Sequence, residues 1–300
     1  MTKTIIPPTA AMAKANGIEI CYETFSVPGL PPLLLIMGLG AQMIVWDDRF
    51  CAQLADRGFR VIRFDNRDIG LSTNFDSAGL PNLGRLMKAQ AKGEAMEVPY
   101  TLIDMANDSV GLLDALKIES AHVVGVSMGG MIAQTIAIHH PNRINTLTSI
   151  MSTTGEPGIA PANPEVQKVL YTPAPTDRAG FIENYVNTRK IIGGPGFPIN
   201  ETHERELALQ IFERGANPAG VARQLAAVMA SGSRKEALQS IKVPTLVIHG
   251  EDDPLIPVAG GIAIAKAIPG AKLMIIKGMG HGLPEPVWPQ IIEAIAGRVI

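Results

Sequence analysis

The 300-residue chain is predicted to fold as an α/β protein, a doubly wound and mostly parallel sheet interrupted by an inserted helical lid. Three observations carry that expectation. Short apolar runs of strand type alternate with stretches whose apolar residues recur at helical spacing. The alternation stops between residues 155 and 235, where GEPGIAPANP and IIGGPGFP break up the chain, and it resumes afterwards. One strand, AHVVGV, passes into a helix through Gly125, Ser127 and Gly129 with almost no loop between them.

Taken in order, GIEICYETFS reads as the first strand, PLLLIMG as a buried strand, residues 47–57 as a helix and FRVIRFD as the next strand. YTLIDMANDSVGLLDALKI is helical, AHVVGV follows as a strand, and the helix MIAQTIAIHH after it is stopped by Pro141 before the strand INTLTSIM. Within the interruption, FIENYVNTRK and HERELALQIFERG are helical pieces. Then come TLVIHG as a strand, VAGGIAIAKAI as a helix despite its glycines, AKLMIIKG as a strand and PQIIEAIAGRVI as a terminal helix. Residues 1–154 and 236–300 are therefore expected to form one core domain, with 155–235 as the lid.

A formal charge of -2, with 18% charged and 46% hydrophobic residues, gives the protein no electrostatic attraction to nucleic acid or anionic membrane. Cys21 and Cys51 are too few for a disulfide framework and lack the C-x-x-C spacing of zinc or redox sites, so both read as buried thiols. The opening MTKTIIPPTAAMAKANG has no sustained apolar stretch of the secretory kind, and no run of about 18 apolar residues occurs. A cytoplasmic protein is expected, with self-association left open.

The glycine-flanked Ser127 has the setting of a nucleophile elbow, a tight turn that holds a hydroxyl exposed above a sheet. Such a hydroxyl attacks only when a base takes its proton and a further group orients that base. His281, in KGMGHGLP just after a strand, lies where active groups of wound sheets gather. The other histidines fit less well: His122 begins a strand at its far end, His139 and His140 end a helix, His203 lies in the insertion and His249 is inside an apolar strand. TLVIHGEDDPLIP offers Glu251, Asp252 and Asp253 as the acid, only one of which can face His281. Two backbone N–H groups complete the set, that of Met128 after the serine and that of Leu39 in IMGLGAQ, where Gly38 and Gly40 permit a close approach.

GVSMGG resembles the nucleophile elbow of the α/β-hydrolase fold family, HGEDDPLIP its acid turn and GMGHGLPEP its histidine loop, in the family order and over nearly the whole chain. The resemblance implies an acid three residues beyond the strand-end Gly250, which selects Asp253 over Asp252. It implies the triad Ser127, Asp253 and His281. Two positions depart from the common pattern: Met37-Gly38 stands where many members carry His-Gly, and the D-x-R-G-x-G-x-S turn reads DNRDIGLS, with Asp68 for the first glycine. In both features the chain is similar to the aclacinomycin methylesterase-like branch of serine carboxylesterases.

The expected function is hydrolysis of small to medium apolar carboxylic esters through an acyl-enzyme, with no metal or organic cofactor. Carbon–carbon bond hydrolases and cofactor-free perhydrolases use the same triad and stay as alternatives, as does a non-catalytic protein that captures a small ligand. Met37, Met43, Trp46 and Met131 are expected to line the substrate pocket near the reacting centre, or else to pack only in the core.

Overall fold

The computed structural model describes residues 9–25, 29–159 and 164–297. Residues 1–8 of the opening segment, Ser26 of the first expected strand and residues 298–300 of the terminal helix lie outside the described residues, as do 160–163 of the insertion. Among the described residues, eight strands form one sheet: β1 (Ala11–Ala15), β2 (Ile18–Phe25), β3 (Pro32–Ile36), β4 (Arg60–Phe64), β5 (Ala121–Val126), β6 (Ile144–Ile150), β7 (Thr245–Gly250) and β8 (Lys272–Ile276). Their spatial order is β1-β2-β4-β3-β5-β6-β7-β8, antiparallel at β1, β2 and β4 and parallel from there on. The sequence reading missed β1. Its hairpin with β2 turns on Asn16 and Gly17, both at positive φ, the conformation an Asn-Gly pair adopts in a two-residue turn.

The helices are α1 (Asp48–Asp56), α2 (Leu83–Lys92), α3 (Leu102–Ala115), α4 (Met128–His139), α5 (Pro164–Tyr171), α6 (Arg178–Ile192), α7 (Glu201–Glu213), α8 (Pro218–Ser231), α9 (Lys235–Leu238), α10 (Ala259–Ala267) and α11 (Trp288–Ala296). Central strands are covered on both faces, which explains their unbroken apolar runs. In β3, Leu33 and Leu35 join the core under α1 and α11, while Leu34 and Ile36 join the core under α3, α4 and α10. Cys21 and Cys51 are buried free thiols, and burial pushes them up to about 11 and about 12. Among the described residues, no helix is long and apolar enough to cross a membrane.

Two features of the topology place the site. Strand β3 lies between β4 and β5, so the chain after β3 and the chain after β5 emerge side by side at the switch in strand order, with Ile36 in register with Gly125. At the other side, Gly250 of β7 is in register with Ile276 of β8, which sets the 251–253 turn against the 277–281 loop. Helices α5 to α8 fall between β6 and β7 in sequence. Of these, α6 to α8 contact the loops after β3, β4 and β8, at the carboxyl ends of the strands.

Candidate active site

Ser127 occupies the step from β5 to α4 with φ 57 and ψ -119, a backbone conformation that costs a non-glycine residue about 1 to 3 kcal/mol. The surroundings hold it there. Its N–H donates to the Ile150 carbonyl at 2.8 Å, and its carbonyl accepts from Ser152 Oγ at 2.8 Å and from the N–H groups of Gly130 and Met131 at 3.0 and 3.2 Å. The flanking glycines are steric necessities: a Cβ on Gly125 would run into the Gly129 carbonyl oxygen, and one on Gly129 into the Ile36 carbonyl oxygen. Met128 then opens α4, where the first N–H groups of a helix have no partner within it and carry its positive dipole end.

The loop after β3 lies directly against the serine. A Cβ built on Gly38 would stand 3.1 Å from Ser127 Cβ and 3.6 Å from its Oγ. Gly38 to Ala41 form a turn closed by Ala41 N–H to the Gly38 carbonyl at 3.2 Å. Leu39, the expected second donor, is within that turn. The preceding carbonyl, of Met37, accepts from Asn66 Nδ2 at 3.0 Å, and Met43 N–H donates to Asp65 Oδ1 at 2.7 Å. The DNRDIGLS turn therefore buttresses the loop.

His281 is buried to 7% exposure and its Nδ1 lies 2.7 Å from Asp253 Oδ2. The other carboxylate oxygen, Oδ1, accepts from the N–H groups of Leu255 and Ile256, each at 2.9 Å. Burial alone would raise the Asp253 carboxyl, but the facing His281, with contributions from His249 and the Ile256 N–H, outweighs it and brings the group down to about 2. A carboxylate so placed fixes Nδ1 of His281 as the protonated nitrogen and leaves Nε2 as the basic one. Asp252 does different work, accepting from Gly278 N–H at 2.9 Å to brace the histidine loop, and Glu251 is exposed.

The sequence reading passed over His249, treating it as a core residue. It is fully buried, and its Nε2 donates to the Ile256 carbonyl at 2.8 Å while standing 3.5 Å from Asp253 Oδ2. Nothing in the strand pattern TLVIHG could have revealed this, because the contact depends on the turn folding back over the strand end. His122 binds Thr146 and His140 binds Asn107, both away from the serine, while His203 is half-buried near Asp47.

The four residues expected either to line the pocket or to pack in the core are all buried. Met37, Met43, Trp46 and Met131 are 4%, 0%, 1% and 7% exposed. Met37 and Trp46 belong to the core beneath α1 and α11, where Trp46 stacks on Phe50, and Met131 belongs to the core on the opposite face of the sheet. A small cavity does lie beside Gly40, walled by Ile69, Phe181, Ile211, Pro218 and Val221. Among the described residues, no group of three or more His, Cys, Asp or Glu side chains is arranged to hold a metal ion.

Comparisons with known proteins show the family and the fold. A family model described as alpha/beta hydrolase fold matches residues 31–184, and one described as TAP-like protein matches 223–287. The chain is 30% identical to a rhodomycin D methylesterase of Streptomyces sp. (strain C5), covering 97% of this chain and 98% of that one. It is 29% identical to a 2-hydroxymuconate semialdehyde hydrolase of Pseudomonas sp. (strain CF600), over 88% and 82%. Among solved structures, an esterase from Exiguobacterium antarcticum superposes with a TM-score of 0.74 at 19% identity, over 97% of this chain and 99% of that one.

Proposed function

Since the chain belongs to the α/β-hydrolase family and is related to ester hydrolases, we propose that it is a serine carboxylesterase acting through Ser127, His281 and Asp253. The observation that carries this reading is the buried His281–Asp253 pair at 2.7 Å, in loops at the same carboxyl edge of the parallel sheet as a serine held at positive φ. Ser127 Oγ attacks the ester carbonyl carbon as His281 Nε2 takes its proton. The carbonyl oxygen, now carrying negative charge, is held by the N–H groups of Leu39 and Met128. Collapse expels the alcohol, protonated by the His281 imidazolium, and leaves Ser127 acylated. Water activated by the same nitrogen then releases the acid. Asp253, still ionised, orients the ring and offsets its charge in both halves.

Residues 155–235 serve in this proposal as a lid over the serine, and the substrate is a small to medium uncharged ester. A methyl ester carried on a larger apolar molecule fits the relationship to the methylesterase. The relationship to the semialdehyde hydrolase supports a second reading, carbon–carbon bond cleavage with the same residues. Incubation with apolar methyl esters and, separately, with 2-hydroxymuconate semialdehyde decides between them by product analysis. Methanol release at a higher specificity constant is expected. Faster cleavage of the semialdehyde with negligible ester turnover would reverse the assignment.

A further inference from the structure

Gln224, in the middle of α8, is fully buried and makes two hydrogen bonds to different loops. Its Oε1 accepts from Gly40 N–H at 2.9 Å and its Nε2 donates to the Arg67 carbonyl at 2.8 Å. The second bond fixes which end of the amide faces Gly40. Val221, one helical turn earlier, packs on the same spot, since a Cβ at Gly40 would come 3.0 Å from its Cγ2.

The turn that Gln224 touches carries Leu39 at its second position. Gly38 to Ala41 is closed by the Ala41-to-Gly38 bond, and Gly40 sits at its third position with φ 69, which makes the turn type II. Type II and type I differ by a half-rotation of the central peptide, here the one between Leu39 and Gly40. In the type I form the Gly40 N–H turns away from Gln224. Both peptides that flank Leu39 are therefore held, one through the Gly38 carbonyl and the other through the Gly40 N–H. We infer that Gln224 is a positioning residue of the inserted helices: it pins the Leu39–Gly40 peptide to the loop after β4, and this hold, with the Ala41-to-Gly38 bond, keeps the whole turn, and with it the N–H of Leu39 on the preceding peptide, at the reacting oxygen. This rests on the reading of Leu39 as an oxyanion donor given above.

Gln224→Met keeps the length of the side chain and removes both hydrogen bonds. Because a misplaced donor acts on the transition state and not on the bound ester, kcat is expected to fall at least about tenfold while KM moves less than about threefold. Inhibition by an aryl trifluoromethyl ketone, whose adduct oxygen needs the same donors, is expected to weaken in parallel with kcat/KM. Gln224→Asn, which draws the acceptor back by one carbon, shows the same pattern to a smaller degree and serves if the methionine variant does not fold. Ser231→Ala is the control, for it removes another bond between α8 and the core, Leu102 N–H to Ser231 Oγ at 3.0 Å, away from the turn. It is expected to leave ketone affinity unchanged. Wild-type kcat and ketone affinity in the Gln224 variants overturn the role, as does a loss that follows melting temperature alike in them and in Ser231→Ala. If Ser127→Ala retains turnover, the site reading and the role of Gln224 fall together; if Ser127→Ala is inactive and the Gln224 variants match the wild type, only the positioning role falls.

Discussion

Asp252 and Asp253 are chemically identical neighbours, and the fold separates their tasks by the direction of one turn. Asp253 meets His281 at 2.7 Å, whereas Asp252 accepts a backbone N–H at the base of the histidine loop. Asp253→Asn is therefore expected to lower kcat/KM by about three orders of magnitude, because an amide no longer selects the tautomer or balances the imidazolium, and Asp252→Asn by less than about tenfold. Equal losses would show that the ring is oriented by something else. Asp253 also bears on stability. Its carboxyl lies below its ordinary value of 3.8, at about 2, so its contribution is complete above about pH 4 and is lost as the pH falls through about 2. Denaturation of Asp253→Asn across that window should show a flatter decline than the wild type. The sequence left three acids open, and only the family spacing pointed to one, since no local pattern states which carboxylate of a turn faces inward. His249 was invisible for the same reason.

At the scale of elements, strands and their covering helices were legible because apolar periodicity reports burial directly. Helix α8 was not read, although Asn217, whose side chain accepts from Gly220 N–H at 3.0 Å, and Pro218 at its start are an ordinary beginning signal. Its role lies in polar contacts that no periodicity records. Asp68, the residue that stands where the family pattern has glycine, is at φ 70 and fully buried, bound by Arg223 at 2.7 and 2.8 Å, by Tyr100 hydroxyl at 2.6 Å and by Phe75 N–H at 2.8 Å. The departure thus has a partner in Arg223, which is 1% exposed on its side chain and fastens α8 to the turn after β4. Asp68→Gly relieves the backbone but leaves a buried guanidinium short of its main partner, for a loss of about 3 kcal/mol in urea denaturation. Adding Arg223→Met should recover much of that loss. An Asp68→Gly protein as stable as the wild type would mean that Asp76, the other carboxylate at Arg223, suffices alone.

Across the whole molecule, the inserted segment binds two loops at the carboxyl ends of the strands, the histidine loop and the loop after β3. The stretch after α6 runs along the histidine loop, with His281 N–H to Ile192 carbonyl at 2.6 Å, Gly280 N–H to Gly193 carbonyl at 3.1 Å and Gly196 N–H to Gly278 carbonyl at 2.9 Å. The end of α7 and the α7–α8 turn grip the loop after β3, where Gln42 Nε2 donates to the Ile211 carbonyl at 2.9 Å and to the Gly215 carbonyl at 3.2 Å. On the proposal that residues 155–235 cover the serine, a cover tied at both ends favours compact substrates, so esters of about four acyl carbons should show higher kcat/KM than those of about sixteen. Preference for the long chains, with activation at an oil–water interface, would indicate a cover that opens onto a large groove. Every step of the proposed reaction passes through the hydroxyl held at the elbow. The most direct measurement is ester turnover by purified Ser127→Ala, beside intact-mass analysis of the wild type after fluorophosphonate treatment. One adduct per chain on Ser127, with turnover reduced at least about a thousandfold in the alanine variant, is predicted; an adduct elsewhere, or near-wild-type turnover without the hydroxyl, would contradict the serine mechanism.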